Sequence, residues 1–566
     1  MNLKGKPYYL SDEDVQWVND TIASMTTEEK IGQLFCPVGF TKDPTDLLPY
    51  LQKGIGGMMY RAGLGAEIQE AHRYLQDHAK VPMFLAANLE AGGTGTASDG
   101  TTFGKNMQVA ATGDPEQAYR LGYIGCTEGA AVGCNWAFAP VIDININWRN
   151  PITNLRTFGS DPDTVLAMGR EFCRGAREAG CAVSIKHFPG DGVDERDQHL
   201  HLTVNSLDAD TWMKTYGMIY RGLIDDGART VMIGHIAQPA WAKRINPAAS
   251  EAEAYLPGTL SRELLEGLLR KELGFEGMIV SDATSMGGFT TAMPREQAVP
   301  QSIARGVDMF LFNKDFFEDY GFMLKGYQDG VITGERLHEA LTRILGVKAS
   351  LGLHKKQKAG TLVPDAGALK VLANDQFTAW ADECADRSVT LVKNKETMLP
   401  LTPDKYKRVM LVVVDGGDMF GMHCDLAEKM RAALTERGFT VLDAPENSMA
   451  FSDKPNGIKQ LKEAFDAAVY VFHFPTASNN TVIRLAWKGV LGFGNLPWFT
   501  KEIPVMGISF ANPYHLIDVP QIKTFINAYT YTPATLKAVL DKITGVSAFT
   551  GKSPVDAFCG REDTAL

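Results

Sequence analysis

The order of apolar and polar residues divides the chain into two stretches of alternating strand and helix. In the first, short apolar runs that read as buried strands recur at Ile31–Cys36, Ile55–Tyr60, Pro82–Ala87, Trp136–Ile142, Ala182–Ile185, Thr230–Ile233, Met278–Val280 and Val307–Phe312. Between them lie amphipathic segments at helical spacing: Ala66–Ala79, Pro115–Ala131, Thr164–Ala179, Ala209–Asp226, Ser261–Leu273 and Arg295–Arg305. Two more, Glu318–Asp329 and Glu335–Leu351, follow the last strand. Strands alternating with helices predict parallel βα units, and about eight of them favour a closed (β/α)8 barrel over an open sheet.

Past Gly352 the periodicity lapses, which predicts an interdomain linker over 353–378 between a barrel of residues 1–352 and a second domain of 379–566. A new α/β pattern then begins. Arg408–Val414 is the near-continuous apolar run of a strand covered on both faces, and Ala467–Phe472, Pro504–Ser509 and Thr524–Ala528 read as further parallel strands. The 566 residues alone would suggest about four domains. The pattern reduces that to two.

Composition narrows the partners. With 56 Lys and Arg against 67 Asp and Glu, the net charge is −11 and no basic block occurs. That argues against a nucleic-acid partner, whose phosphates require clustered cations. The opening Met1-Asn2-Leu3-Lys4-Gly5-Lys6-Pro7 lacks the apolar stretch of a secretory signal, and no run approaches the ~18 apolar residues of a membrane span. A cytoplasmic protein with no membrane partner is expected. The eight cysteines form no C-x-x-C pair, which reads as reduced core thiols rather than a disulfide framework or a zinc site.

In a parallel barrel, reactive side chains project from the C-terminal ends of the strands. The residues that follow successive strands are Glu90, Asp143, Lys186-His187-Phe188-Pro189-Gly190-Asp191-Gly192, His235 and Ser281-Asp282. Asp282 closes an apolar strand, where a carboxylate serves as nucleophile, base or metal ligand, or merely caps the next turn. Asp197 and His199, two apart, form an acid/base pair if their loop folds back, and a solvated polar loop if it does not.

These segments resemble glycoside hydrolase family 3, in particular its β-N-acetylglucosaminidase branch, which carries a K-H-F-P-G-H-G-x4-D-S-H loop. Here the loop runs from Lys186 to Gly192 and, four residues on, through Asp197-Gln198-His199. The resemblance extends to Met25–Gln33, Asn154–Gly159, Val280–Ala283, Leu391–Asn394 with Leu399–Leu401, and Gly551–Val555. It implies a (β/α)8 TIM-like barrel followed by an αβα sandwich. It also implies retaining hydrolysis of terminal β-linked N-acetylhexosaminides: Asp282 is the nucleophile, and His199 with its partner Asp197 is the acid/base. Arg156, Lys186 and His187 hold the sugar. No metal and no cofactor are implied, the partner is a small carbohydrate, and the oligomeric state is undetermined.

The chain departs from the branch at Asp191, where the second loop His is usual, and at Gln198, where Ser is usual. It departs again at Asn88-Leu89-Glu90-Ala91-Gly92-Gly93-Thr94, which lacks the branch's Asp and Arg. These departures keep a β-glucosidase or β-xylosidase specificity open. The imidazole acid/base keeps phosphorolysis open, because it repels an anionic acceptor less than a carboxylate does. Two readings of another class are a non-catalytic carbohydrate-binding protein and a zinc-dependent barrel hydrolase using His187, His199, His201, His235 and Asp282.

Overall fold

The fold is that of a computed structural model, which describes residues 1–416, 424–444, 457–487 and 495–566. The chain forms two compact units: residues 1–103, 115–153 and 161–378, and residues 104–114, 154–160 and 379–566.

In the first unit a parallel sheet curls on itself. Its strands are β1 (Phe35–Cys36), β2 (Val38–Gly39), β3 (Gly57–Tyr60), β4 (Phe84–Ala87), β5 (Trp136–Ala137), β6 (Ala182–Phe188), β8 (Thr230–Ile233), β10 (Met278–Ser281) and β11 (Phe310–Leu311). A small parallel pair outside it, β7 (Thr203–Val204) and β9 (Ile236–Ala237), completes the set. The order β2-β3-β4-β5-β6-β8-β10 is continuous. Val280 bridges to Met309, and Phe35 and Cys36 pair with Phe310 and Leu311, so β11 returns to β1 and closes the circle. With β1 and β2 counted as one strand interrupted by Pro37, eight strand positions surround the core, as a (β/α)8 barrel requires. β3, β4, β8 and β10 are buried at every residue. That is why their apolar runs show no alternation.

The elements differ from the sequence reading at three strands. Ile31 and Gly32 end a helix, Thr27–Gly32, because Thr26 and Glu29 form a capping box that starts it; the first strand begins only at Phe35. Trp136–Ile142 contracts to Trp136–Ala137, and pairing resumes past Pro140 only as a single bridge between Val141 and Lys186. Val307–Phe312 contracts to Phe310–Leu311, because Gly306 at φ +131° and the buried Asp308 belong to the turn before it. The helix Pro115–Ala131 lies where the periodicity put it.

Beyond the last barrel helix, Gly334–Ser350, a short helix Leu353–Ala359 follows with left-handed glycines, Gly352 and Gly360, at its two ends. The extended chain after it is fastened by side chains of the helix Gly65–His78. Arg73 donates to the carbonyls of Val363 and Pro364, and Gln69 to that of Asp365.

The second unit is a sheet with helices on both faces. Its strands among the described residues are β12 (Thr390–Asn394), β13 (Arg408–Asp415), β14 (Thr440–Asp443), β15 (Ala467–His473), β16 (Val505–Ser509) and β17 (Thr524–Asn527). They stand in the order β12-β17-β16-β15-β13-β14, all parallel except the edge strand β12. Alternate residues feed two cores. Val409, Leu411, Val469 and Ile508 pack with Leu426, Met430 and Val539 on one face, and Met410, Val412, Tyr470 and Phe525 pack with Leu461 and Leu516 on the other. This is an αβα sandwich. All eight cysteines are free thiols, and six are buried. No helix among the described residues is long and apolar enough to cross a membrane.

Candidate active site

The two ends of the barrel are built differently. At the N-terminal end, Asp308, just before β11, is wholly buried and accepts from Arg270 at 2.7 Å and Arg343 at 3.3 Å, and also from Arg336 and the Ile279 N–H. Burial opposes its charge, but the three guanidiniums hold the carboxyl below its usual range. That cluster ties the strands together. At the C-terminal end the ionisable groups are arranged with vertices left open.

Asp282 follows β10 directly, and its N–H donates to the Ile233 carbonyl of the neighbouring strand at 2.8 Å. Its Oδ1 accepts the Ala283 N–H at 2.7 Å, while Oδ2 lies 3.9 Å from His187 Nε2. Burial works against ionisation, but the His187 side chain beside it and the Ala283 N–H outweigh that and lower the carboxyl's pKa. Asp282 is therefore an anion at neutral pH.

Lys186 and His187 stand at the end of β6. Lys186 Nζ pairs with Glu90 Oε1 at 2.6 Å, and both flank the same rim. His187 Nδ1 lies 2.7 Å from Asp143 Oδ2. Asp143 Oδ1 accepts the N–H groups of His187 and Asp191, at 3.1 and 2.8 Å. A carboxylate so placed holds the proton on Nδ1 and turns Nε2 toward Asp282.

The loop after β6 does fold back. Gly192, at φ +108°, lies against the Ile144 carbonyl, which a Cβ there would meet at 1.8 Å; no other residue fits. Trp212 Nε1 donates to the Pro189 carbonyl at 2.7 Å and the Tyr216 hydroxyl to that of Asp191 at 2.6 Å, which pin the turn from the helix behind it. Farther on, His199 Nδ1 lies 2.6 Å from Asp197 Oδ1, which also accepts the His199 N–H at 2.8 Å. Asp197 is buried, while the His199 side chain is 25% exposed. The carbonyls of Gln198 and His199 accept the N–H groups of Gly288 and Gly287, six and five residues beyond Asp282. Gly287 is needed for that approach, because a Cβ would stand 2.1 Å from the Leu200 carbonyl. Asp282, His187 and the Asp197–His199 pair are thus brought to one rim.

The two loop departures meet each other. Gln198 Nε2 donates to Asp191 Oδ2 at 3.1 Å, and Gln198 Oε1 accepts the His235 N–H at 2.8 Å. Asp191 Oδ1 accepts from Asn150 Nδ2 and the Gly192 N–H. Burial, with the Asp143 charge beside it, pushes the Asp191 carboxyl up to about 6. His235 is held neutral, its pKa pushed down to about 4 by burial. Its Nε2 is 3.0 Å from the Ala283 carbonyl and its Nδ1 is 2.9 Å from the Thr259 hydroxyl. It therefore braces the Asp282 turn and has no lone pair for a metal. The zinc set imagined from the sequence is not assembled.

Arg156 ends the short turn Asn154–Arg156, which is counted in the second unit, and its carbonyl accepts from Asn106 Nδ2 at 2.7 Å. From the sequence, Asp143 stands on the rim without a task and His235 only as a ligand of the alternative zinc site. The sequence reading missed Asn150 and Thr259, which carry no spacing signal and matter only through the partners the fold gives them.

A buried carboxylate, an imidazole facing it and a second carboxylate–imidazole pair whose ring is partly exposed stand on one barrel rim, the arrangement of a (β/α)8 enzyme of polar substrates. Comparison with known proteins makes the class specific. The Glycosyl hydrolase family 3 N terminal domain matches residues 26–347. A Cellulomonas fimi protein described as a beta-N-acetylglucosaminidase/beta-glucosidase is 44% identical over the full length of both chains. Among solved structures, beta-glucoside phosphorylase BglX superposes with a TM-score of 0.93 at 43% identity, covering 99% of each chain. A family 3 beta-N-acetylglucosaminidase from Paenibacillus sp. str. FPU-7 gives 0.77 at 25% identity, covering 94% of this chain and 99% of that one. The chain belongs to glycosyl hydrolase family 3 and is a carbohydrate-cleaving enzyme of that family.

Proposed function

We propose that the protein cleaves terminal β-glycosides of gluco-configured sugars with retention, through a glycosyl-enzyme on Asp282, and that phosphate takes up the glycosyl group in preference to water. The observation that carries this reading is the Asp197–His199 pair: the acid/base group that reaches solvent is an imidazole, and its carboxylate is buried behind it.

A retaining mechanism needs a nucleophile on one side of the scissile bond and an acid on the other. Protonated His199 gives its Nε2 proton to the leaving oxygen as Asp282 Oδ2 attacks the anomeric carbon, and the C1–O bond to the aglycone breaks. Asp197 stabilises the imidazolium in the ground state and orients it. His199 is then neutral. An incoming phosphate dianion meets no carboxylate at that vertex, whereas a Glu or Asp in the same place would repel it. Phosphate oxygen attacks C1, the C1–Oδ2 bond breaks, and a sugar 1-phosphate leaves with Asp282 restored. Lys186, clamped by Glu90, and His187 hold the sugar's hydroxyls by charge-assisted hydrogen bonds. The names of BglX and of the Cellulomonas fimi relative support glucosides and N-acetylglucosaminides as the sugar classes.

Hydrolysis of N-acetylglucosaminides is the second reading, and the Cellulomonas fimi relative's name favours it. A panel of 4-nitrophenyl β-glycosides separates the two, assayed with and without inorganic phosphate and followed by phosphorus NMR. A strong rise in cleavage with phosphate and a sugar 1-phosphate product of retained configuration is expected. Free sugar at a phosphate-independent rate would establish water as acceptor.

A further inference from the structure

The second unit carries a group of side chains that the reaction above does not use, at the point where its topology favours a ligand. Its five parallel strands stand in the order β14-β13-β15-β16-β17. The chain leaves β13 for β14 on one side and then passes back to β15 on the other. The helix Leu426–Glu436, which follows β13, covers one face through Leu426, Met430 and Leu434, and Phe474, Leu485 and Phe499, which follow β15, pack on the opposite face. The connections therefore diverge at the carboxyl ends of β13 and β15. Open α/β sheets bind ligands in the crevice outside such a switch point.

The last residues of those two strands are Asp415 and His473, and they are register partners. His473 Nδ1 lies 3.1 Å from Asp415 Oδ1. Cys424, two residues before the helix Leu426–Glu436, brings its thiol to the same place. One ligand atom from each of the three residues lies within 4.8 Å of the others. Among the described residues no other His, Cys, Asp or Glu group is compact enough to hold an ion. All three are partly exposed, so an ion can enter from solvent. Asp425 and Glu428 add negative charge around the Cys424 sulfur.

We propose that Asp415, Cys424 and His473 bind one zinc-class divalent cation, with a fourth position open to water. The donor set decides the metal. A thiolate and an imidazole select zinc-class ions over magnesium and calcium, which take oxygen ligands. Bond lengths of about 2.0–2.3 Å to a tetrahedral ion put ligand atoms about 3.3–3.8 Å apart, so the group closes with side-chain movements of about 1 Å. On binding, the sulfur–metal bond forms as the Cys424 thiol loses its proton to solvent, and the ion replaces the Asp415–His473 hydrogen bond. The site ties the end of β15 to the chain leaving β13.

The test uses the full chain, stripped with chelator, refilled with zinc or cobalt(II) and dialysed. Metal content is read by plasma mass spectrometry, and thiolate ligation by the cobalt charge-transfer band. One ion per chain and a thiolate band are expected. Both should vanish in Cys424→Ser/His473→Ala and persist in Cys559→Ser, which removes the other partly exposed thiol. No stoichiometric uptake by the wild type, or unchanged uptake by the double variant, overturns the proposal. Should the double variant fail to fold, alkylation of Cys424 in the wild type decides by peptide mass spectrometry. Zinc must slow it at least tenfold, and an unchanged rate also overturns the site.

Discussion

The barrel rim holds two aspartate–histidine pairs with nearly the same bond, 2.7 Å in Asp143–His187 and 2.6 Å in Asp197–His199. Their surroundings differ. The His187 side chain is 4% exposed and that of His199 is 25%. Asp143 also accepts two backbone N–H groups, so the first pair is locked into the loop, and the other ring nitrogen of His187 faces Asp282. The second pair has one nitrogen anchored and one open to solvent. On the proposed mechanism the same two side chains serve once as a fixed wall of the site and once as a proton carrier. Burial makes the difference, because a group that must exchange protons with an acceptor cannot be sealed from it.

Substitutions on each side of the comparison should separate these tasks, and the largest effect belongs to neither pair. Asp282→Asn should lower kcat by about four orders of magnitude or more, the scale on which loss of a covalent nucleophile acts. Rescue by azide with an activated glycoside, giving an inverted glycosyl azide, would confirm that the lost group was the nucleophile. His199→Ala should cost about 10²–10⁴-fold on substrates with poor leaving groups. The loss should shrink for 2,4-dinitrophenyl glycosides, whose departure needs no acid. An equal loss on both substrates would make His199 a positioning residue and not a proton donor.

Asp143→Ala is the reciprocal test. It strands three buried donors, so a loss of stability of about 3 kcal/mol is expected in urea unfolding. Asp197→Ala should cost less stability and more acid catalysis. If the two variants behave alike, the contrast between the pairs is wrong.

Asp191 and Gln198 join the pairs, and they give a pH signature. The Asp191 carboxyl keeps its proton up to about pH 6 in the folded chain, against 3.8 ordinarily. The folded state thus binds more protons than the unfolded one between those values, and stability falls as pH rises through that window. Asp191→Asn should flatten this fall, measured as the urea midpoint at several pH values, and a window of unchanged slope would refute it. Thr259→Val, which removes only the hydroxyl beside neutral His235, should cost about 1 kcal/mol and leave activity within about threefold.

The barrel was legible in sequence wherever a strand is buried on both faces, as at Thr230–Ile233, or a helix keeps one apolar face, as at Pro115–Ala131. It was illegible where a local signal competed with the apolar pattern. The capping box at Thr26–Glu29 turns Ile31 into a helical residue, and around Pro140 a strand that apolar residues alone would continue is interrupted and resumes only at the Val141–Lys186 bridge. In the candidate site, Asp282 and His187 were visible as polar residues ending apolar strands. The return of His199 toward the Asp282 turn depends on Gly287, whose missing Cβ the sequence shows but whose neighbour, the Leu200 carbonyl, it does not.

The chain's order of apolar and polar residues, read with its loop motif, determined the barrel, the sandwich after it and the identity of the polar residues at the strand ends. These follow from periods of two to four residues, which a linear sequence records directly. Tertiary structure alone decided which of those polar residues meet. The Asp191–Gln198 bond joins residues seven apart, the Asp143–His187 bond spans 44, and Asp415, Cys424 and His473 converge only because β13 and β15 are neighbours in register. Contacts at such separations are set by how strands pair and helices cross over, and no local period encodes them.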